Sequence, residues 1–492
     1  MTPRIVGTET EFGVAVRGAT DSDPVANAIL LVNSVRGIPS RTALWDYENE
    51  NPLVDARGFE VEGEKERPAP DYNRLLNKLL PNGGRLYVDG AHPEYSTPEC
   101  ASILDAVRYE RAGERVIEDC RIEANRASGE PRFLVYKNNT DGKGNSYGYH
   151  ENYLVARSVP FAMLVAQLVP FFVTRQIYAG AGKVGAENRS DPAEYQISQR
   201  ADFFEVVVDL NTMVKRPIIN TRDEPHADKA KYRRLHVIVG DANMSEVATY
   251  LKLGVTSLVV AMIENGYLTK ELNLANPVKA IKDVSRDLSL QHPIELEDGR
   301  RWTAVQIQEY YLNMAHRFCA ERGADAETKD VLSRWERVLR LLDEDPRQLS
   351  REVDWVIKRD LLQAYVDRRG CGWSDPRVTM MDLQYHDLRP EKGLFAALER
   401  GGYVERLVDD AAVANAVTEP PFDTRAYFRA RCLQKFPQQV YAASWASVLV
   451  DVGQAAVKRI PLNDPARGTR DLVGTLLEEV ESVDALVSRL SA

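Results

Sequence analysis

The sequence predicts a mixed helix-and-strand protein whose strands back an apolar face with a polar one. Three observations carry this reading. An alternating run, RIVGTETEFGVAV, occupies 4–16; two further strand-like runs are RLYVD at 85–89 and LHVIVGD at 235–241; helical periodicity separates them, longest in SILDAVRYERAGERVIEDCRIEANRAS at 102–128. The 492 residues leave room for two to four domain-sized cores, or for one large domain with an appendage.

In the first strand, side-chain alternation sends Glu9 and Glu11 to one side, about 7 Å apart. Two carboxylates on a core-facing surface repel and lose hydration, so they need a cation, a basic partner or a proton. A lone pair of this kind more often marks an edge strand whose polar face meets water, so other polar groups must decide. DPVANAILLVNSVRG at 23–37 predicts a helix. Residues 41–80, from RTALWDYENENPLVDARGF onward, are dense in charge, Pro and Asn with little periodicity, and read as a long, partly mobile loop.

In GGRLYVDGAHPEYSTPE at 83–99, Leu86 and Val88 take one strand face while Arg85, Tyr87 and Asp89 take the other. Glu94 and Thr97 lie just beyond, in a segment held by Pro93 and Pro98. The helix at 102–128 carries a charge run that reads as its solvated face. The Gly/Asn-rich YKNNTDGKGNSYGYHENYL at 136–154 runs into His150, Glu151 and Asn152, and supplies backbone amides and short polar groups suited to a ligand.

The densest stretch is 198–246, where Arg200, Arg222, Arg233 and Arg234 lie between apolar runs and His236 faces away from Leu235 and Val237. Arginine is suited to bidentate contact with phosphate or carboxylate. Carboxylates with imidazoles suit Mg²⁺ or Mn²⁺, and arginines beside such a cation suit a phosphorylated ligand, so a nucleotide–metal site is expected. Neither GxxxxGK[ST] nor a helix-opening GxGxxG occurs, which weakens the P-loop and dinucleotide readings.

The net charge of −10 argues against a general nucleic-acid or anionic-membrane binder. The five cysteines, Cys100, Cys120, Cys319, Cys371 and Cys432, are scattered without CxxC, which fits a reducing cytoplasm. No signal-peptide pattern opens the sequence, and the most apolar stretch, VPFAMLVAQLVPFFV at 159–173, is interrupted by Pro160, Gln167 and Pro170. It reads as core helix and strand, not as a membrane span.

Together, GTETEFG, RLYVDGAHPEYSTPE, KNNTDGKGNSYGYHENYL and INTRDEPHAD…YRRLHVIVGDANMSE resemble the family of Pup ligases and Pup deamidase/depupylases, over nearly the whole chain. The resemblance implies an α+β, glutamine-synthetase-like fold of carboxylate–amine ligase type: a curved antiparallel sheet forming a cradle with helices packed behind it. It places a catalytic domain at 1–417, with 41–80 as its loop insertion, and a small domain at 418–492.

That family holds two enzymes of opposite direction. The 41–80 insertion, the spacing of Asp89 before GAHPEY and the C-terminal ASWASVLVDVG resemble the deamidase/depupylase branch, whereas RPIINTRDEPHAD and SEVATYLKLG are shared by both. The implied activity is hydrolysis of the C-terminal glutamine side chain of Pup and of the Pup–lysine isopeptide bond. Mg²⁺ and ATP are the implied cofactors, the nucleotide bound without stoichiometric consumption; Pup and pupylated proteins are the implied partners. ATP-driven ligation is the alternative, and a non-catalytic Pup-binding adaptor a distant one.

Matched position by position, Glu9, Tyr87 and Glu94 fall on the family's Mg²⁺ ligands, and Glu11, His150 and His236 on positions for a second metal. Arg85, Thr97 and Trp445 match ATP contacts, and Asp89 the catalytic aspartate. Arg222, Arg233 and Arg234 are inferred phosphate contacts. Asp89 either attacks the amide directly, giving a mixed anhydride, or activates a water or a metal-held phosphate.

Overall fold

The computed structural model describes residues 4–19, 22–63, 67–130, 132–212, 215–269, 272–453 and 456–491. Its centre is a six-stranded sheet. In chain order the strands are β1 (Val6–Glu11), β2 (Asn77–Leu79), β3 (Arg85–Asp89), β4 (His92–Ser96), β5 (Tyr149–Ala156) and β6 (Tyr232–Val237). Across the sheet they run β6-β5-β1-β4-β3-β2, every neighbour antiparallel.

Alternation within β1 buries Val6, Thr8 and Thr10 on one face and leaves Gly7, Glu9 and Glu11 half-buried on the other. The buried face is covered by helices: α1 (Pro24–Asn33), α2 (Ile103–Ser128), α3 (Phe161–Ala179) and α4 (Glu246–Glu264). Asp23 caps α1 by accepting from the backbone N–H of Val25 and Ala26, and Ser102 caps α2 by accepting from Asp105. Helix α2 lies so close to β4 that a Cβ on Gly113 would stand 2.2 Å from the Tyr95 ring. That contact fixes the height of β4, and with it Glu94 on the opposite face.

The apolar run at 159–173 differs from the expected helix and strand, for it lies within the single helix α3 apart from its first two residues. Pro170 sits inside the helix, a position that usually interrupts one, but burial of almost the whole second half holds it in register. Helices α3 and α4 are both long and apolar enough to cross a membrane, yet 78% and 89% of their most apolar windows are buried inside the fold.

Residues 41–80 also carry more local structure than their composition suggests. Leu44–Trp45 forms a strand parallel to Val440–Ala443, Val54–Asp55 pairs with Phe59–Glu60, and Pro70–Leu76 is a helix leading into β2. The Asn73 side chain clamps Trp45, accepting from its N–H at 3.0 Å and donating to its C=O at 2.9 Å.

Trp45, Ala43 and Leu79 therefore belong to the second hydrophobic core, with Phe428, Leu433, Val440 and Val448. The core of the 418–492 region is thus shared with the 41–80 segment. Glu99, beyond β4, fastens this region to the sheet: Arg425 donates to it at 2.7 Å and Arg429 bonds both its oxygens. Burial alone would raise the Glu99 carboxyl, but the two guanidiniums reverse the effect and hold it at about 2.

Candidate active site

Directly paired residues of antiparallel strands share a face, so the register assembles the open side of the sheet. Glu9 lies opposite His150 and Ser96, Glu11 and Tyr87 opposite Glu94, Asp89 opposite His92, and Asn152 opposite His236. Two clusters with ligand atoms within 4.8 Å of one another result: Glu9 with His150 and His236, and Glu11 with Asp89 and Glu94. This grouping overlaps the family-based one in part: His236 stands with Glu9, while His150 reaches Glu9 and also Glu11. Strand order is the reason for the His236 placement: β5 and β6 lie on the side of β1 away from β3 and β4.

His150 joins the clusters. Its Nδ1 lies 3.1 Å from Glu9 Oε2 and 3.9 Å from Glu94 Oε1, and its Nε2 lies 3.9 Å from Glu11 Oε1. Asn152 donates to Glu9 Oε1 at 3.0 Å, while its own Oδ1 accepts from Arg234 Nη1 at 2.9 Å and meets His236 Nδ1 at 3.0 Å.

The electrostatics of the second cluster are unfavourable without a cation. Both Glu94 oxygens are buried and, among the described residues, make no hydrogen bond of ordinary geometry. Burial and the carboxylates of Asp89, Glu9 and Glu11 push Glu94 well above the usual carboxylate range. Asp89 is open to a cleft on one side and enclosed on the others; that enclosure and the charge of Glu11 push it up as well. Tyr87 is held a neutral phenol by burial and by Glu94. Burial and Arg234 push His236 well below its ordinary value, which keeps the imidazole neutral and able to act as a ligand. Carboxylate oxygens in excess, two of them orphaned, with the neutral His236 imidazole nearby, fit a hard divalent cation.

Two clefts meet at this wall. One, an open cleft with about 550 Å³ of space that runs out into solvent, is lined by Glu9, Thr97, His226, Arg234 and Trp445 with apolar Ile5, Val6 and Leu154. The other, about 1450 Å³, is lined by Glu11, Asp89, His92, His150, Arg200 and Arg216. Thr97 and Trp445 thus share a cleft, which a planar, apolar base with a phosphorylated tail fits by chemistry. Arg222 has a buried Nε without a partner among the described residues, and acts electrostatically on both Asp89 and His236.

Two arginines are placed otherwise than expected. Arg233 pairs with Val155, on the helix-covered face; it donates to Val159 O at 2.8 Å and lies over Phe161. Strand alternation excludes it from the side that Arg234 and His236 occupy, so the phosphate role inferred for Arg233 is withdrawn. Arg85 is on the open face but sandwiched between Trp45 and Tyr87, each 3.9 Å from its guanidinium carbon, and donates to Asn77 at 3.0 Å. The 41–80 segment, through Trp45, Tyr47 and Glu50, supplies much of that enclosure.

Sequence reasoning left Asn152, His92, His226 and Arg216 outside the candidate set. Asn152 was legible by parity, two residues from His150 on the same strand. His92, 3.4 Å from Glu11 and stacked on Tyr147, required the register of β3 with β4. His226, at φ +48° and pushed down to about 4 by burial, sits in a loop that no periodicity marks.

The chain matches the family described as Pup-ligase protein over residues 4–449. A depupylase of Acidothermus cellulolyticus is 51% identical over 501 residues, covering 99% of each chain. A Pup deamidase/depupylase of Mycolicibacterium smegmatis is 46% identical over 500 residues, again 99% of each. Among solved structures, the ligase PafA in complex with the prokaryotic ubiquitin-like protein Pup superposes with a TM-score of 0.81 at 34% identity, covering 97% of this chain and 92% of that one. PafA in complex with ADP superposes with a TM-score of 0.75 at 36% identity, over 86% and 96% of the two chains. The α+β fold expected from the sequence, an antiparallel cradle backed by helices, is the fold these structures share.

Proposed function

Because the chain belongs to the Pup-ligase protein family, we propose that it is a hydrolase that converts the C-terminal glutamine of Pup to glutamate and cuts the Pup–lysine isopeptide bond. The observation that carries this reading is Asp89: a carboxyl pushed up by its surroundings, open to the larger cleft and touching the carboxylate cluster. The hydrolytic direction is supported by the two full-length relatives named for depupylation, and Pup as partner by its presence on the structurally similar ligase.

Amide hydrolysis needs attack on the carbonyl carbon, stabilisation of the oxyanion and a proton for the departing amine. The routes left open by the sequence start from the Asp89 carboxylate: its oxygen bonds to the carbon, or it activates a water or a metal-held phosphate for the attack. A raised carboxyl affinity for protons suits the water route, in which Asp89 takes a proton from the attacking water and returns it to the departing ammonia or lysine amine. In the direct route Asp89 is itself acylated, so water must protonate the leaving amine and then hydrolyse the anhydride to regenerate the carboxylate. Mg²⁺ and ATP would supply positive charge and a polyphosphate scaffold; Glu9, Glu11, Glu94, His150 and His236 would hold the metal, with Tyr87 alongside, and Thr97, Arg222, Arg234 and Trp445 the nucleotide. Arg85 would border that nucleotide from its aromatic sandwich. The setting we propose is the cytoplasm, consistent with five free cysteines.

The test is incubation with glutamine-ended Pup, Mg²⁺ and ATP, following ammonia and nucleotide by mass spectrometry. Ammonia far in excess of ATP consumed is expected, falling about 10³-fold or more in Asp89→Ala while the fold is retained. ADP formed one-for-one with Pup–lysine conjugates, and no ammonia, would reverse the assignment in favour of ligation.

A further inference from the structure

The larger cleft contains a cation that neither the metal nor the nucleotide reading uses. Arg216 opens the strand Arg216–Asn220, which runs parallel to Phe204–Asp209 with Phe204 opposite Arg216. Its Nε donates to Thr212 O at 2.9 Å and its Nη2 to Ser146 O. Its Nη1 is buried and, among the described residues, has no hydrogen-bond partner.

Arg200 stands beside it in the same wall, and two of its three guanidinium nitrogens are committed: Nη1 donates to Ile238 O and, at 3.4 Å, to Gly240 O, and Nε to Ser146 Oγ at 3.3 Å. Burial pushes Arg216 down, and burial with the charge of Arg216 brings Arg200 down to about 9. Two like charges in one wall, with both N–H donors of the Arg216 Nη1 unsatisfied, form an arrangement that an anion completes.

The acidic residues of the cleft do not complete it. Asp141 accepts from Asn145 Nδ2 at 2.7 Å and from the N–H of Lys143 at 2.8 Å. Glu205 meets Asn188 at 3.4 Å. Glu11, with Asp89, belongs to the carboxylate cluster, and although its charge acts on Arg216 and Arg200 it is not among the hydrogen-bond acceptors of either in the described residues. The anion must therefore enter with the substrate.

We propose that Arg216 binds the free α-carboxylate of the substrate's C-terminal residue, and so restricts cleavage to amides on the side chain of a terminal residue. The proposal rests on the hydrolase reading above. In a C-terminal glutamine or its isopeptide, the α-carboxylate lies about 5 Å from the side-chain carbonyl carbon, and Asp89 and Arg216 line one cleft. Such a contact separates terminal from internal glutamine without reading the amide itself. A guanidinium is suited to it because a carboxylate accepts two of its N–H groups in one plane.

The experiment compares two forms of Pup, both ending in glutamine: one with a free α-carboxylate, one with that carboxyl converted to its N-methylamide. Side-chain deamidation is followed by mass. Wild type is expected to lose about a hundredfold in kcat/KM on the N-methylamide, the scale of one charge-assisted contact. Arg216→Met should lose about the same on the free acid and treat both substrates alike, Arg216→Lys should keep part of the discrimination, and nucleotide affinity should be unchanged in both. Equal turnover of the two substrates by wild type would overturn the proposal, as would retained discrimination in Arg216→Met. A fall in nucleotide affinity in that variant would overturn it too, giving the arginine to a phosphate. If Arg216→Met does not fold, the wild-type pair and Arg216→Lys still decide. No deamidation of either substrate by wild type would instead refute the hydrolase reading on which the proposal rests.

Discussion

The two faces of the main sheet bury charge in opposite ways. On the helix-covered face, charges meet their opposites: Glu151 accepts from Arg175 at 2.5 and 2.8 Å, and Lys137 donates to Glu110 at 2.6 Å and to Glu114 at 2.7 Å. Burial there would raise the Glu110 carboxyl, yet Lys137 brings it below its ordinary value. On the open face, burial would raise Glu9, yet imidazoles and Arg234 hold it below its ordinary value; at Glu94 carboxylate meets carboxylate, and its carboxyl goes up. The difference separates charges that hold the fold from charges that await a ligand, and neither burial nor residue type alone makes the distinction.

The comparison breaks first at Glu151. Its loss leaves Arg175 buried and unpaired, so Glu151→Ala should cost about 3–5 kcal/mol, measured as a lower urea midpoint. A loss below about 1 kcal/mol would mean that the covered face is not held by its pairs.

Acid should remove the next largest contribution. The folded-state pKa of Glu99, about 2, lies below its ordinary value of 4.5. The unfolded chain therefore binds the extra proton, and the stability from this pair is complete above pH 4.5 and declines as pH falls towards 2. The amount at neutral pH is about 3 kcal/mol. Unfolding curves of wild type and Glu99→Gln should converge across that window, and a gap that stays constant down to pH 2 would contradict the assignment.

The smallest effect belongs to an exposed pair. Arg340 and Glu344, each more than half exposed, lie 2.9 Å apart on a helix surface, and Glu344→Gln should shift stability by less than about 0.5 kcal/mol. A larger shift would show that pairing matters irrespective of burial.

Much of this division was legible in the sequence. Alternation alone put Glu9 with Glu11, and Tyr87 with Asp89, on one side of their strands. The same rule, applied to the adjacent Arg233 and Arg234, sends them to opposite faces; inferring phosphate contact from both overlooked it. Which glutamate meets which histidine depends on strand order, and that information lies in pairings between distant segments. The 41–80 segment shows the same limit: its polar composition reads as a loop, while the strand at Leu44–Trp45 is made by Val440–Ala443 near the other end of the chain. The cradle shape came from family resemblance, since periodicity identifies strands but not the curvature of the sheet they form.

The most direct test of the contrast is thermal unfolding of wild type and Glu94→Gln at pH 7.5, in chelator and then in excess Mg²⁺. In chelator the variant should melt a few degrees higher, because it removes a crowded buried carboxyl whose folded-state proton affinity is raised. Mg²⁺ should then stabilise wild type and do little for the variant. A variant that melts lower than wild type in chelator, and gains as much from Mg²⁺, would mean that Glu94 is a structural residue and that the open face is not a cation site.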